Sequence, residues 1–337
     1  MNNNNSRDNG NTIAHRFTHV RLENWRNFVR VDSSLEHRVF LVGPNASGKS
    51  LLLDVFRFLH DIVSVGGGFQ EAIRKRSGIS SIRCLAARSN PDIAIHVQIG
   101  SELSKTTWSY ELHFGQDKQR RPIVKKERVL KDDTEVLSRP NSEDHSDPER
   151  LTQTHVEQVT ANRDFRVVAD FFALVRYLHI VPQLIREPDR SVGRKNDPFG
   201  GDFLEQISRK AEKTRTAWLR RIRNALKVAV PQLGEIEFYR DKGRGTPHLR
   251  GKYEHWRPQG ALQMEDQFSD GTLRLMVLLW SMLDGVGPLL LEEPELSLHP
   301  EVVRHIPQMI ARIQRGSGRQ IFISTHSSDL LRDEGIG

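Results

Sequence analysis

The chain has 337 residues, with 50 Lys+Arg against 43 Asp+Glu, a formal net charge of +7, and 37% hydrophobic residues. That is enough apolar material for one large core or two modest ones, and no apolar run reaches the length of a membrane helix, so no membrane partner is expected. The single cysteine, Cys84, excludes an internal disulfide and reads as a small buried side chain; together with a polar, Asn-rich start that is no secretory signal, it sets the expectation of a reducing, cytoplasmic location.

Residues 1–16 read as a disordered lead-in. Phe17 to Leu22 predicts a first strand, and Val29 to Leu35 a partner for it. Arg38 to Val42 predicts an apolar strand that runs into Gly43-Pro44-Asn45-Ala46-Ser47-Gly48-Lys49-Ser50. This stretch fits G-x-x-x-x-G-K-[ST], the phosphate-binding loop. Glycines let the backbone turn tightly so that several N–H groups point at one anion. The helix expected from Ser50 adds its positive end. Lys49 then reaches the β- and γ-phosphates of a nucleotide, and the Ser50 hydroxyl can ligate Mg²⁺. The bare pattern occurs by chance in roughly one chain of this length in a hundred. Here an apolar strand precedes it and the amphipathic run Leu51, Leu52, Val55, Phe56, Phe58, Leu59 follows, which is the context the chemistry requires.

Gly66-Gly67-Gly68 breaks the chain before a short helix over Gln70 to Lys75. Three stretches of two-residue alternation follow. They are Ile93, Ile95, Val97, Ile99; then Trp108, Tyr110, Leu112, Phe114; then Ile123 to Leu130. They predict antiparallel strands with one wet face. Lys131 to Arg150 reads as a mobile loop, Leu151 to Val175 as helical, and Tyr177 to Val181 as a strand closed by Pro182. Arg186 to Gly201 reads as a loop, Phe203 to Val230 as one long helix, and Glu235 to Gln267 as two or three short strands. Neither an internal repeat nor a sustained heptad pattern is present.

The last part alternates helix and strand and carries three more motifs. Leu289-Leu290-Leu291-Glu292-Glu293 is an apolar strand ending in two carboxylates. On a strand beside the phosphate loop, Glu292 can support the Mg²⁺ water shell, and Glu293, on the other side of the pleat, can deprotonate an attacking water. Ile321-Phe322-Ile323-Ser324-Thr325-His326 is a second apolar strand, whose histidine can sense a γ-phosphate. Gln267-Phe268-Ser269-Asp270-Gly271-Thr272-Leu273-Arg274 opens a long apolar helix. Ser269 or Asp270 can cap that helix, and Ser269 with Gly271 can form a second anion site. One nucleotide needs no second cradle, so this one makes sense if it grips the γ-phosphate held by another copy.

With these motifs in this order, the chain resembles the ABC-type ATPase heads of the SMC, RecF and OLD kind, and in particular the small ATPases of that group without a long coiled coil. GPNASGKS matches Walker A, FSDGTLR the signature, LLLLEEPELSLHP Walker B with the D-loop, and STH the switch histidine. LENWRNF, with Arg26 and Asn27, resembles the element that precedes the loop in these heads and is expected at the nucleotide. The match covers roughly residues 17–80 and 260–330. It implies an α/β P-loop fold: a head built from 17–99 and 260–337 around a central mixed or parallel sheet, an antiparallel β lobe at 100–150, and a helical insertion at 151–259. It further implies a homodimer closed around two ATP molecules with Mg²⁺, with Glu293 as base, Lys49 and His326 at the phosphates, Ser50 and Glu292 on the metal, and Ser269 and Gly271 acting in trans. Gln183 is a further metal-side candidate, as a Q-loop residue. Four departures qualify this: Glu292 where Asp is commoner, Asp270 where Gly is commoner, His299 where Asp is common in the D-loop, and an end soon after His326 where these heads continue. That end implies a truncated chain or a sheet completed by a partner.

The expected function is ATP hydrolysis coupled to nucleic-acid work, in DNA maintenance or phage defence. The motive is the helix Phe203 to Val230 with Arg209, Lys210, Lys213, Arg215, Arg220, Arg221, Arg223 and Lys227, balanced against the plainer reading of a solvated face. The alternative is a regulatory ATPase that positions a separate effector such as a nuclease, because the chain shows no metal-spaced Cys/His set and no acidic nuclease cluster of its own. A transporter's nucleotide-binding subunit shares the motifs, but LENWRNF and EEPELSLHP point away from it.

Overall fold

Alternating and continuous apolar runs build two different kinds of sheet. The structure, a computed structural model, describes residues 15–87, 91–101, 104–187, 189, 192–193, 195–254 and 261–331. The expected lead-in at 1–16 lies outside them apart from its last two residues, and Arg16 already belongs to the first strand. The alternating strands form one antiparallel sheet: β1 (Arg16–Trp25), β2 (Phe28–Ser34), β4 (Ile93–Gly100), β5 (Trp108–Gln116), β6 (Pro122–Lys131) and β7 (Thr134–Arg139), in the order β2-β1-β4-β5-β6-β7. Its inner face is the predicted one: Ile93, Ile95, Val97 and Ile99 are buried, as are Tyr110, Leu112 and Phe114. The ladder runs on from β4 to β5, so the sheet crosses the expected boundary at residue 100.

The continuous apolar strands form a parallel sheet of β3 (Arg38–Val42), β8 (Arg176–Leu178), β12 (Leu289–Glu292) and β13 (Ile321–Thr325), ordered β3-β13-β12-β8. Both faces of these strands are covered, which is why the runs do not alternate. Leu290 and Phe322 point into one hydrophobic cluster, while Leu289, Leu291, Ile321 and Ile323 point into the other. β13 lies between the phosphate-loop strand and the strand carrying Glu292.

Helix α1 (Lys49–Val63) fills the space between the two sheets. Its Phe56 ring lies 4.6 Å from Phe17 of β1 and 4.8 Å from Phe322 of β13, and Phe58 lies 5.3 Å from Trp25. Buried Gln320 ties the layers as well: it accepts from Phe17 N at 2.9 Å and donates to Phe17 O and Glu36 O. The short helices α2 (Phe69–Arg74) and α3 (Ile79–Ile82) follow.

The expected mobile loop 131–150 is ordered. It contains β7, helix α4 (Ser142–Ser146) and a 3₁₀ turn over Pro148–Thr152. The expected helix 151–175 shrinks to α5 (Arg166–Ala173). Tyr177 to Val181 is a strand only as far as Leu178, and Pro182 opens the short helix α6 (Pro182–Ile185). The single long helix expected over 203–230 is two helices, α7 (Phe203–Ser208) and α8 (Glu212–Leu226). Ala211 takes an extended conformation between them. This lets Lys210 turn back, pairing with Asp284 at 2.6 Å over the Trp218 ring. A small sheet of β9 (Leu233–Arg240), β10 (Pro247–Tyr253) and β11 (Ala261–Met264) follows. Helix α9 (Asp270–Leu283), almost wholly buried, then packs with α10 (Pro300–Val303) and α11 (Ile306–Ser317) in the second cluster. Cys84 is a free, buried thiol. No helix among the described residues is long and apolar enough to cross a membrane.

Candidate functional site

Parallel pairing sets the carboxyl ends of β3, β13 and β12 level. Glu292 pairs with Ser324, and Thr325 with Val42. Residues 43–50, 292–293 and 326 therefore leave the same edge of one sheet, where ligands of open α/β folds bind.

The loop 43–50 has the backbone that its sequence demands. Gly48 sits at φ 98°, and a β-carbon there would lie 2.7 Å from the Phe28 ring. Only glycine fits both the conformation and the contact. Gly43 faces the Ser47 hydroxyl, and Ala46 adopts φ 63°. Pro44, Asn45, Ala46 and Ser47 are exposed. Lys49 Nζ donates to Gly43 O at 2.8 Å and Pro44 O at 2.9 Å, which puts its charge at the mouth of the loop.

Ser50 Oγ donates to Glu292 Oε1 at 2.5 Å. The other oxygen, Glu292 Oε2, accepts from the Tyr177 hydroxyl on β8. Burial first, and then the Glu292 carboxylate, push the Tyr177 pKa well above its ordinary value, so its proton is always there to donate. Arg57 of α1 lies 4.8 Å from the Tyr177 ring centroid. Sequence reasoning missed Tyr177. The signal was a tyrosine inside a buried strand, since such a hydroxyl needs a partner.

Glu293 leaves the strand at φ 44°, an uncommon conformation for a residue with a side chain. Its N–H donates to Ser324 O at 3.0 Å, and its Oε1 lies 3.2 Å from His326 Nδ1. The backbone turn therefore aims Glu293 at His326 and separates it from Glu292.

Ser269 caps α9: its Oγ accepts from Thr272 N at 3.2 Å. Gly271 lies against the D-loop, where a β-carbon would meet Leu298 at 3.0 Å. Asp270 does not stand free at this helix start. Arg186 holds it at 2.6 Å, and Gln183 Nε2 donates to it at 3.3 Å. Gln183 is thus brought to the signature helix rather than to the Ser50–Glu292 pair. His299 caps α10, its Nδ1 accepting from Glu301 N. Arg26 donates to Ser81 O at 2.8 Å and lies 3.8 Å from Asp54. With Ser50, Tyr177 and Glu292 it borders a cleft of about 430 Å³. Asn27 is exposed in the two-residue turn between β1 and β2, with no hydrogen bond among the described residues.

The donors suit a nucleotide with a hard cation. Ser50 Oγ and Glu292 are two converging oxygens, and no group of three His, Cys, Asp or Glu among the described residues could enclose a metal. Mg²⁺ is commonly held in this way, by one or two protein oxygens with waters and phosphates completing its shell.

This edge and the layers behind it form a P-loop NTPase fold similar to that of SMC heads. The chain belongs to the family described as "AAA domain, putative AbiEii toxin, Type IV TA system", whose model matches residues 38–333. No curated protein matches it. Among solved structures it is similar to an Smc head bound to the C-terminal winged-helix domain of ScpA, at 12% identity and a TM-score of 0.57, covering 94% of this chain and 90% of that one. It is also similar to an Smc head with an extended coiled coil bound to the C-terminal domain of ScpA, derived from Pyrococcus furiosus. That match has 10% identity and a TM-score of 0.50, with coverage of 94% and 91%. At such identities the likeness is one of fold.

Proposed function

We propose that this chain binds ATP with Mg²⁺ at residues 43–50, hydrolyses it, and does so as a pair of heads, each presenting Ser269 and Gly271 to the nucleotide of the other. One observation carries the reading. Ser50 with Glu292, and Glu293 with His326, come from segments more than 240 residues apart at the extremes, yet meet at hydrogen-bond distance on one sheet edge. Bound MgATP supplies a phosphoanhydride whose terminal phosphoryl group is charge-neutralised for transfer to water. The N–H groups of the loop and Lys49 hold its phosphates. Ser50 and Glu292 hold the cation. Glu293 takes the proton of the attacking water on a carboxylate oxygen, with His326 Nδ1 keeping that side chain in place.

The work done by the pair is proposed to be control of a separate effector, with nucleic-acid contact as the second reading. Among the described residues, three of the eight cations of 203–230 are engaged within the chain: Arg209 with Glu205, Lys210 with Asp284, and Arg215 over the Phe238 ring. That weakens the case for a phosphate-binding stripe. The toxin system in the family description supports a two-component arrangement.

Labelled ATP and a phosphate-release assay test the core of the reading. Lys49→Ala is expected to lose nucleotide binding. Glu293→Gln should keep binding but hydrolyse more slowly by a factor on the order of 10². Normal turnover by Glu293→Gln would remove Glu293 as the base.

A further inference from the structure

A groove remote from the nucleotide edge lies between α8, α11 and the last turn of α9, with a volume of about 380 Å³. Its floor is apolar. Ala225, Leu283 and Ile313 are only half-buried there, and Val228 is 53% exposed. Arg221 and Arg312 stand exposed on its two walls, and neither has an ion-pair partner among the described residues. Both walls lack acids: there is no Asp or Glu from Lys213 to Val230, nor from Ile306 to Ser317. Arg221, Ala225 and Val228 follow one another at helical spacing, so cation and floor belong to one face of α8 and its C-terminal extension.

We infer that this groove docks an amphipathic helix of a partner protein, one with an apolar stripe flanked by Glu or Asp. Helix walls accept side chains spaced i, i+3/i+4, i+7, which is how grooves of this kind read a helix. An acidic flank would pair with Arg221 and Arg312, and an apolar stripe would dry the floor. The other occupants use only half of the surface. A second copy presenting this face would set arginine against arginine. A nucleic acid would use the cations but leave the apolar floor wet.

The position adds a consequence. Helix α9 runs 14 residues from the Ser269 cap to Leu283, about 21 Å at 1.5 Å per residue. The docked helix would touch one end of the element whose other end carries the signature residues. This inference goes beyond the ATPase reading and stands without it, because the groove needs no nucleotide.

Fluorescence anisotropy on the full chain tests it. The probe is a labelled helical peptide with Leu on one face and Glu on the other. Comparison probes carry Lys for Glu, or Ser for Leu, and a single-stranded oligonucleotide is run beside them. The Glu–Leu peptide is expected to bind with a Kd of about micromolar order and to weaken as salt rises. The double variant Arg221→Glu, Arg312→Glu should bind it at least about tenfold more weakly, and the exposed change Val228→Glu should also weaken it. Melting temperatures matching the unmodified chain show that these surface changes leave the fold intact. Three results overturn the inference: no binding of the Glu–Leu peptide, equal binding by the double variant, or equal binding of the Lys or Ser peptides. Oligonucleotide binding as tight as the peptide's, lost in the same double variant, would make the groove a nucleic-acid site and overturn it too.

Discussion

Tyr177 holds the half of Glu292 that Ser50 does not reach. Ser50 Oγ donates to one carboxylate oxygen and the Tyr177 hydroxyl to the other, so the side chain that is to support the cation has no freedom to rotate. Tyr177→Phe keeps the ring under Arg57 and removes only the hydroxyl. The Mg²⁺ concentration for half-maximal ATP hydrolysis is then expected to rise by up to about tenfold, the scale of one hydrogen bond to a charged group, while nucleotide affinity without metal stays the same. An unchanged Mg²⁺ titration would show that Ser50 alone positions Glu292. Glu292, Glu293 and His326 are legible in the sequence because they stand at the ends of apolar strands, and Lys49 and Ser50 because they open the helix after a glycine-bounded loop. Tyr177 is not, because its role depends on β8 lying next to β12, and neighbour order in a parallel sheet is written in no local pattern. Asp270 shows the same limit. Its charge looks misplaced at a helix start meant for phosphate until Arg186, far away in sequence, is seen to hold it.

At the scale of elements, one buried cluster decides why 131–150 is no mobile loop. Arg139, Glu127 and Asp144 have no exposed side-chain surface, with Arg139–Glu127 at 3.1 Å and Arg139–Asp144 at 2.7 Å. Arg139 also donates to Gln153 O and Arg150 O, and Glu127 accepts from His155 N, Val156 N and the Tyr110 hydroxyl. Polar, acidic composition suggests mobility, but here the charges turn inward and pin the segment to β6. Composition carries no sign of that, because the partners lie up to 29 residues apart. Arg139→Met leaves two buried carboxylates without their cation and is expected to cost about 3–5 kcal/mol, read as a lower midpoint in denaturant. His155 gives this cluster a pH signature. Burial first, and then the nearby Arg139, lower its pKa to about 4, while Asp144 and Glu143 pull the other way. The unfolded chain takes up that proton near pH 6.5 and the folded chain only near 4. The stabilising effect of neutral His155 is therefore full above 6.5 and is lost as pH falls from 6.5 to 4, by on the order of 2 kcal/mol. Glu127 is raised by burial and changes in the opposite sense, so the readout is a comparison between proteins. His155→Gln should lose less stability than the unmodified chain between pH 7 and pH 4.5. Equal losses would mean that the ring is not held neutral.

Across the whole molecule, α9 joins the signature residues to the interior of the same head. Arg274, one turn in from the cap, is buried, and its Nε and Nη1 have no hydrogen-bond partner among the described residues. Burial lowers its pKa, against the favourable charges of Asp270, Glu295 and Glu293. The proposed pairing of two heads rests on Ser269, and here two roles have to be separated, because the same hydroxyl caps α9. Ser269→Arg removes the cap, at about 1 kcal/mol, and also adds bulk at the proposed contact, so a loss of pairing would be ambiguous. Ser269→Asp separates the roles. Aspartate caps a helix as well as serine does, yet it would place a carboxylate against the phosphates of the opposite nucleotide. In a Glu293→Gln background, light scattering with MgATP is expected to show dimers for the parent and monomers for both Ser269 variants, with ATP binding retained and the Ser269→Asp melting temperature unchanged. Dimers that persist with Ser269→Asp would mean that Ser269 does nothing beyond capping its own helix, and the trans role of the signature would fall.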